Sequence, residues 1–230
     1  MFKPCLLTGS ILLILMLAGC AQVPESCPTF LPVDLSDAEV FARDDNLPFQ
    51  FPLDGRVYAT PFSTGFAAYG RVTRGGSPSY EYHAAEDSLK PAGTPVYAMA
   101  DGTVGGIFVA QGYGAVMLIE HRFEGGFVTS LYGHVSRRHG FEVEAGEVVS
   151  KGQLVAYIAE DDEDGGSWPP HLHFGLRRGP YSIDAEICGV WLYVGYTRAC
   201  AGVTHEEHRD HWLDPGDFIA GRVTLAAAQP

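Results

Sequence analysis

His171 and His173 are separated by one residue, Leu172, and followed by Phe174. The stretch Pro170-His171-Leu172-His173-Phe174 is bounded upstream by Gly165-Gly166-Ser167 and the Pro169-Pro170 pair, which reads as a short strand after a turn. Side chains on a strand alternate faces, so both imidazoles stand on one surface while Leu172 and Phe174 face the other. Histidine is the commonest metal ligand and titrates near neutrality. Upstream, His83-Ala84-Ala85-Glu86-Asp87 places a carboxylate four residues after a histidine, a usable separation for two ligands on one turn. Tyr132-Gly133-His134 closes a strand-like run with a further imidazole. A catalytic zinc site needs three protein ligands of nitrogen and oxygen type and one open position. His83, Asp87 and His173 can supply those three, which leaves His134 and His171 beside the metal.

The surrounding pieces resemble the lysostaphin-type, or LytM-type, zinc endopeptidases. They run in that family's order: His83-x-x-x-Asp87, then Gly93-Thr94-Pro95-Val96-Tyr97-Ala98-Met99-Ala100-Asp101-Gly102, then Gly112-Tyr113-Gly114. Tyr132-Gly133-His134, Lys151-Gly152-Gln153 and His171-Leu172-His173-Phe174 complete the set, which spans roughly Pro48 to Arg177. The resemblance implies one Zn²⁺ per chain, peptidoglycan peptides as substrate, and His134 and His171 dividing general-base work and oxyanion stabilisation. It also implies a compact antiparallel β-sheet with an active-site groove. Three positions depart from the family's usual pattern. Ala85 stands where many relatives have glycine, Gly175 replaces the usual acid after Phe174, and an acidic run, Glu160 to Asp164, occupies a loop that is usually Ser/Thr/Gly-rich.

The elements that must position these residues read as all-β from Pro48 onward. Strand candidates fall near Arg56–Ala59, Pro95–Ala98, Thr103–Ala110, Ala115–His121, Phe127–Gly133, Leu154–Ile158 and Leu172–Leu176. Glu124-Gly125-Gly126 joins two of them at hairpin spacing. Arg177 to Arg209 reads as an insertion in which Cys188 and Cys200 bracket the apolar strand Val190 to Val194, and a Cys188–Cys200 disulfide is expected to close it. Trp212-Leu213-Asp214-Pro215 resembles the closing segment of many relatives, and residues 221–230 read as a loose tail. The peptidase domain is therefore placed at residues 47–220.

The start of the chain carries address information. Lys3 and the apolar run Ile11 to Ala18 have the form of a secretory leader, with the run too short to span a bilayer. Leu17-Ala18-Gly19-Cys20 resembles a bacterial lipobox, so residues 1–19 are expected to be removed and Cys20 lipidated. Ala21 after that cysteine resembles an outer-membrane sorting context, with the protein facing the periplasm. Residues 20–46, rich in Pro, Ser and acid, read as a flexible tether with a mean span of roughly 30 Å and one helical turn near Asp37–Phe41. Cys27 would remain as an odd thiol.

Composition excludes some classes. With 230 residues, 46% of them hydrophobic, the chain can bury a sizeable core. A formal net charge of −13 argues against nucleic acid or an anionic membrane surface as an electrostatic partner. A biotin- or lipoyl-carrying β-domain needs a lysine in a Met-Lys-Met-like turn, and neither Lys90 nor Lys151 is so flanked. The remaining rival is a non-catalytic module that binds or regulates wall hydrolases; it should lack one or more of the five functional residues, and all five are present. His205 to His211 offers His-to-His spacing of three, where a zincin helix needs four, and reads as a solvated charged turn. His121 and His139 lie outside the motifs and read as structural or surface residues. The acidic run is expected either to steer substrates carrying a free ammonium or simply to be a solvated loop.

Overall fold

A computed structural model of the chain describes residues 48–53, 65–74, 77–110, 112–123, 125–163, 168–181, 186–187, 190–191, 195–198 and 210–219. The expected leader, tether, helical turn near residue 37, Cys20, Cys27, Cys188 and Cys200 lie outside these residues, as do Arg56–Ala59 and 205–209 of the His205 run.

The described elements are almost entirely β. In chain order they are β1 Tyr69–Arg74, β2 Ser77–His83, β3 Glu86–Leu89, β4 Pro95–Tyr97, β5 Gly102–Ala110, β6 Gly114–Phe123 and β7 Gly126–Val135. They continue with β8 Val148–Val149, β9 Leu154–Tyr157, β10 His171–Arg178, β11 Glu186–Ile187, β12 Val190–Trp191, β13 Tyr196–Arg198 and β14 Trp212–Leu213. A helical turn at Pro215–Ile219 follows. The main sheet has seven strands, ordered β14-β10-β7-β6-β5-β8, with β3 also paired to β10; every pairing is antiparallel. The β6–β7 hairpin turns where the sequence places it, with Phe123 opposite Gly126 and Gly125 at φ 96°, a conformation that costs glycine little.

Alternation along the central strands divides the side chains between two buried faces. Met117 and Ile119 of β6, and Leu172, Phe174 and Leu176 of β10, pack with Val96, Val155 and Ala156 into the larger core. The larger of these side chains each contribute about 1.5–3 kcal/mol by leaving water. Val116 and Leu118 point the other way and meet Leu131, Tyr113, Ala84 and Trp212. This second face also carries the odd-numbered residues of β10: His171, His173, Gly175 and Arg177. Arg177 is buried there, and its Nη2 donates to the carbonyls of Pro180 at 2.8 Å and Tyr181 at 3.1 Å, which pins the first turn of the insertion.

One local expectation is corrected. His83 and Asp87 do not share a turn: His83 ends β2 and Asp87 lies within β3, with Ala84-Ala85 as the link. Asp87 is held by pairing opposite His173, so sheet register rather than helical spacing brings the carboxylate to the histidines. The buried, β-paired surroundings override a four-residue spacing that carries no preference of its own. Strands β1 and β2, which the sequence reading missed, pair in register from Tyr69↔Tyr82 to Arg74↔Ser77.

Candidate metal centre

Three elements converge at one end of the second face. His83 comes from the end of β2, Asp87 from β3 and His173 from β10. His83 Nε2 lies 3.0 Å from His173 Nδ1 and 3.2 Å from Asp87 Oδ1, and His173 Nδ1 lies 3.0 Å from the same carboxylate oxygen. Two ligands on a tetrahedral zinc, each at about 2.0–2.1 Å, stand roughly 3.3 Å apart, so this triangle has the right size for one ion. All three residues are buried, at 2%, 6% and 1% exposure.

Two of the three are already in the protonation state that binds metal. Burial disfavours charge on Asp87, but the pull of His83 and the hydrogen bonds from His173 and His83 hold its carboxyl well below the ordinary value. Burial pushes His173 down to about 3, so its ring is neutral at physiological pH. For His83 burial also opposes the charge, yet Asp87 and the Gly65 carbonyl draw its pKa above the ordinary range. That carbonyl, 3.2 Å from His83 Nδ1, can only accept; the Nδ1 proton therefore points at Gly65 and Nε2 faces the other ligands. A deprotonated carboxylate and neutral imidazoles are the forms that bind metal, so His83 gives up its Nε2 proton when an ion enters. The residues fit a single zinc ion.

The other two histidines stand beside this triangle. His134 and His171 face each other with ring centroids 4.2 Å apart, and both are buried. His171 donates its Nδ1 proton to the Pro169 carbonyl at 2.7 Å, and its Nε2 lies 4.0 Å from Asp87 Oδ1. His134 reaches the site through a β-bulge. Val116 pairs with Gly133 and Ala115 with Val135, so His134 is the extra residue, at φ 57°. Strict alternation from Tyr132 would have sent it into the core; the bulge re-aims it onto the metal side. The left-handed backbone is uncommon for a residue with a Cβ and is held by two hydrogen bonds, His134 N to Tyr113 O and Ala159 N to His134 O. Tyr113 forms the adjoining wall, its ring 4.9 Å from that of His173 and 5.4 Å from that of His134.

The structure thus brings together all five of His83, Asp87, His134, His171 and His173. His121, by contrast, is fully buried away from them and hydrogen-bonded to Asp101 O and Ser130 Oγ, and His139 is exposed. The acidic run is less free than its charge suggests. Glu163 accepts from Ser136 Oγ at 2.8 Å and from the amides of Arg137, Arg138 and Glu160, while Asp162 pairs bidentately with Arg138. The turn that follows His134 is clamped by this loop. Tyr113 and the Gly65 and Pro169 carbonyls have no role in the sequence analysis, where Glu163 figures only within the acidic run; backbone acceptors leave no side-chain signal.

Two of the three departures from the family pattern, Ala85 and Gly175, also meet in space. A Cβ on Gly175 would fall 2.9 Å from Ala84 O and 3.1 Å from the Trp212 ring, and 3.5 Å from the Ala85 methyl. The Ala84 carbonyl and the Trp212 ring leave no room for an acid at 175.

Residues 81–185 match the family model described as "Peptidase family M23". The matched segment is similar to the M23 peptidases. All five site residues fall inside it. Among curated proteins the chain is similar to the peptidoglycan DD-endopeptidase ShyC of Vibrio cholerae, 27% identical over 154 residues, which is 61% of this chain and 34% of that protein. The match thus spans about a third of that relative's length. Among solved structures, LytU is 22% identical with a TM-score of 0.44, covering 69% of this chain and 84% of that one. The catalytic domain of lysostaphin from Staphylococcus simulans is 19% identical with a TM-score of 0.45, covering 68% and 90%. A zinc-containing peptidase from Vibrio cholerae is 24% identical with a TM-score of 0.42, covering 61% and 40%. The insertion strand β13 and the closing strand β14 lie beyond the matched M23 residues.

Proposed function

We propose that this chain is a zinc-dependent endopeptidase that hydrolyses peptide bonds in peptidoglycan stem peptides or crosslinks, anchored in the cell envelope through a lipid on Cys20. The observation that carries the reading is the triangle of His83 Nε2, Asp87 Oδ1 and His173 Nδ1 with two further imidazoles alongside. A zinc ion held by these three supplies Lewis acidity toward a peptide carbonyl and an attacking water. The chain's own groups do the rest. His171, with its Nδ1 proton given to Pro169, presents a lone pair on Nε2 toward the space beside Asp87 and takes the proton from the attacking water. His134, its ring tilted against that of His171, donates to the oxygen on which negative charge develops. Burial of the site keeps both contacts in a medium of low dielectric, where they are worth most.

A non-catalytic module that binds wall hydrolases would be expected to have lost a ligand or an acid–base histidine, and this chain keeps all five. The similarity to a DD-endopeptidase favours a direct D-alanyl crosslink over a glycine bridge as the bond cleaved. Lipid attachment rests on Leu17-Ala18-Gly19-Cys20, and Ala21 favours the outer membrane, facing the periplasm. Mass spectrometry of the mature N-terminus checks it; a start at any other residue refutes the anchor.

Digestion of purified peptidoglycan with zinc-loaded and chelator-treated protein, followed by mass spectrometry of the released muropeptides, tests the activity. Zinc-dependent release of cut stem peptides is expected. Fully loaded protein that releases none would leave the binding module as the better reading.

A further inference from the structure

The insertion that interrupts the family pattern returns to the metal centre. Its strand β13 pairs with β2, and Tyr196 lies opposite His83. One residue earlier, Gly195 is buried at φ +76°, and its carbonyl accepts the Ala84 amide at 3.0 Å. A Cβ built on Gly195 would stand 2.7 Å from Nε2 of His173 and 3.4 Å from Cδ1 of Leu131. No carbon sits that close to a ring nitrogen, so the ring or the strand would have to move. His173 faces the other ligands through Nδ1, and Gly195 covers the Nε2 edge of the same ring.

We propose that Gly195 is a positioning residue for the metal centre: the backbone of the insertion backs the His173 ring and fixes the direction of Nδ1. The proposal rests on the zinc reading above. A ligating imidazole has one nitrogen for the metal, and whatever touches its other side sets the ring's orientation. For His83 that contact is the Gly65 carbonyl; for His173 it is packing against a residue that must lack a side chain. The same strand braces His83 through Tyr196 and the link residue Ala84 through Gly195. The insertion therefore touches two of the three ligands and the segment leading to the third. Glycine is required twice over, by the left-handed backbone and by the ring behind it.

The test compares Gly195→Ala with Gly146→Ala in the full chain. Gly146 has φ +90° with nothing within 4 Å of its missing Cβ, so its substitution introduces the backbone strain without a steric contact. Zinc affinity, measured against a competing chelator, should fall about 10- to 100-fold in Gly195→Ala, the usual range when a ligand's support is disturbed. The visible absorption of the Co²⁺-loaded protein should shift with it. Gly146→Ala should lose stability but keep the wild-type affinity and spectrum. Should Gly195→Ala not fold, hydrogen exchange on the wild-type chain decides: zinc should slow exchange of the 195–198 amides by linkage. Unchanged exchange there, wild-type zinc affinity in Gly195→Ala, or equal affinity losses in both variants would overturn the proposal while leaving the zinc reading intact. A wild-type chain that takes up no zinc would overturn both.

Discussion

His171 gives its Nδ1 proton to the carbonyl of Pro169, two residues upstream, across 2.7 Å. Pro170 restricts the backbone of Pro169 to extended conformations, which holds that carbonyl in place. A carbonyl only accepts, so the neutral ring must carry its lone pair on Nε2, the nitrogen 4.0 Å from Asp87 Oδ1. The local chain has thus chosen a tautomer, the one that the proposed base requires.

That geometry separates two groups of variants. His83→Ala, Asp87→Ala and His173→Ala each remove a corner of the ligand triangle and should lower zinc content and activity together. His134→Ala and His171→Ala should keep the metal and lose about 10²–10⁴-fold in rate, the usual worth of a positioned acid or base. Elemental analysis beside the hydrolysis rate distinguishes them. Metal loss in His171→Ala, or full occupancy in Asp87→Ala, would reverse the assignment.

Glu163 should matter to catalysis without touching substrate. Its carboxylate accepts from Ser136 Oγ and three backbone amides, and the turn it holds begins two residues after His134. Those hydrogen bonds, with burial opposing them, keep its pKa below the ordinary 4.5. The stability they bring is present above the unfolded pKa and is lost as pH falls through the folded one. Glu163→Ala should cost about 1–3 kcal/mol, the range for unmaking hydrogen bonds to a charged group. It should also reduce kcat at unchanged zinc content, while Glu160→Ala leaves kcat alone. Equal effects from the two would return the loop to a merely solvated role.

The ligand set was legible in sequence because its chemistry is carried by side chains at short spacings. His171-Leu172-His173-Phe174 alternates on β10 as period-two reasoning requires, with Leu172 and Phe174 fully buried. Most of the central strands lie within two residues of their sequence boundaries for the same reason. What was not legible depends on long-range pairing. Asp87 reaches the histidines through register with His173, and His134 through one extra residue opposite Ala115-Val116. Neither a pairing partner nor a bulge has a local signature. Gly195 was hidden more deeply, in a segment that follows none of the family motifs.

His121 makes the fold sensitive to acid independently of the metal. Its Nδ1 donates to Asp101 O at 3.0 Å, and its Nε2 shares a 2.7 Å hydrogen bond with Ser130 Oγ, which itself donates to Ile119 O at 3.3 Å. Burial lowers its pKa from 6.5 to about 4. Between those values the unfolded ring binds a proton that the folded ring refuses, so stability falls as pH falls. The difference between pH 7 and pH 5 should be about 2 kcal/mol from this residue. Denaturant midpoints at both pH values for wild type and His121→Gln measure it. Parallel losses in the two proteins would place the acid sensitivity elsewhere.

Gly175 should be intolerant of any side chain, and restoring the family's usual glycine at residue 85 should not relieve it. The tightest contact of a Cβ at 175 is the Ala84 carbonyl at 2.9 Å, followed by the Trp212 ring at 3.1 Å; the Ala85 methyl, at 3.5 Å, is at ordinary packing distance. A backbone oxygen cannot swing aside as a side chain can. Gly175→Ala should therefore cost about 1–3 kcal/mol through overpacking. Because Ala84 links His83 to Asp87, the same push should spread the two ligands and weaken zinc binding. Gly175→Glu should do more of both, and the pair Gly175→Ala with Ala85→Gly should behave like Gly175→Ala alone. Stability and zinc affinity of the four proteins decide it. Recovery in the double variant would show that the Ala85 methyl, not the Ala84 carbonyl, is what keeps residue 175 a glycine.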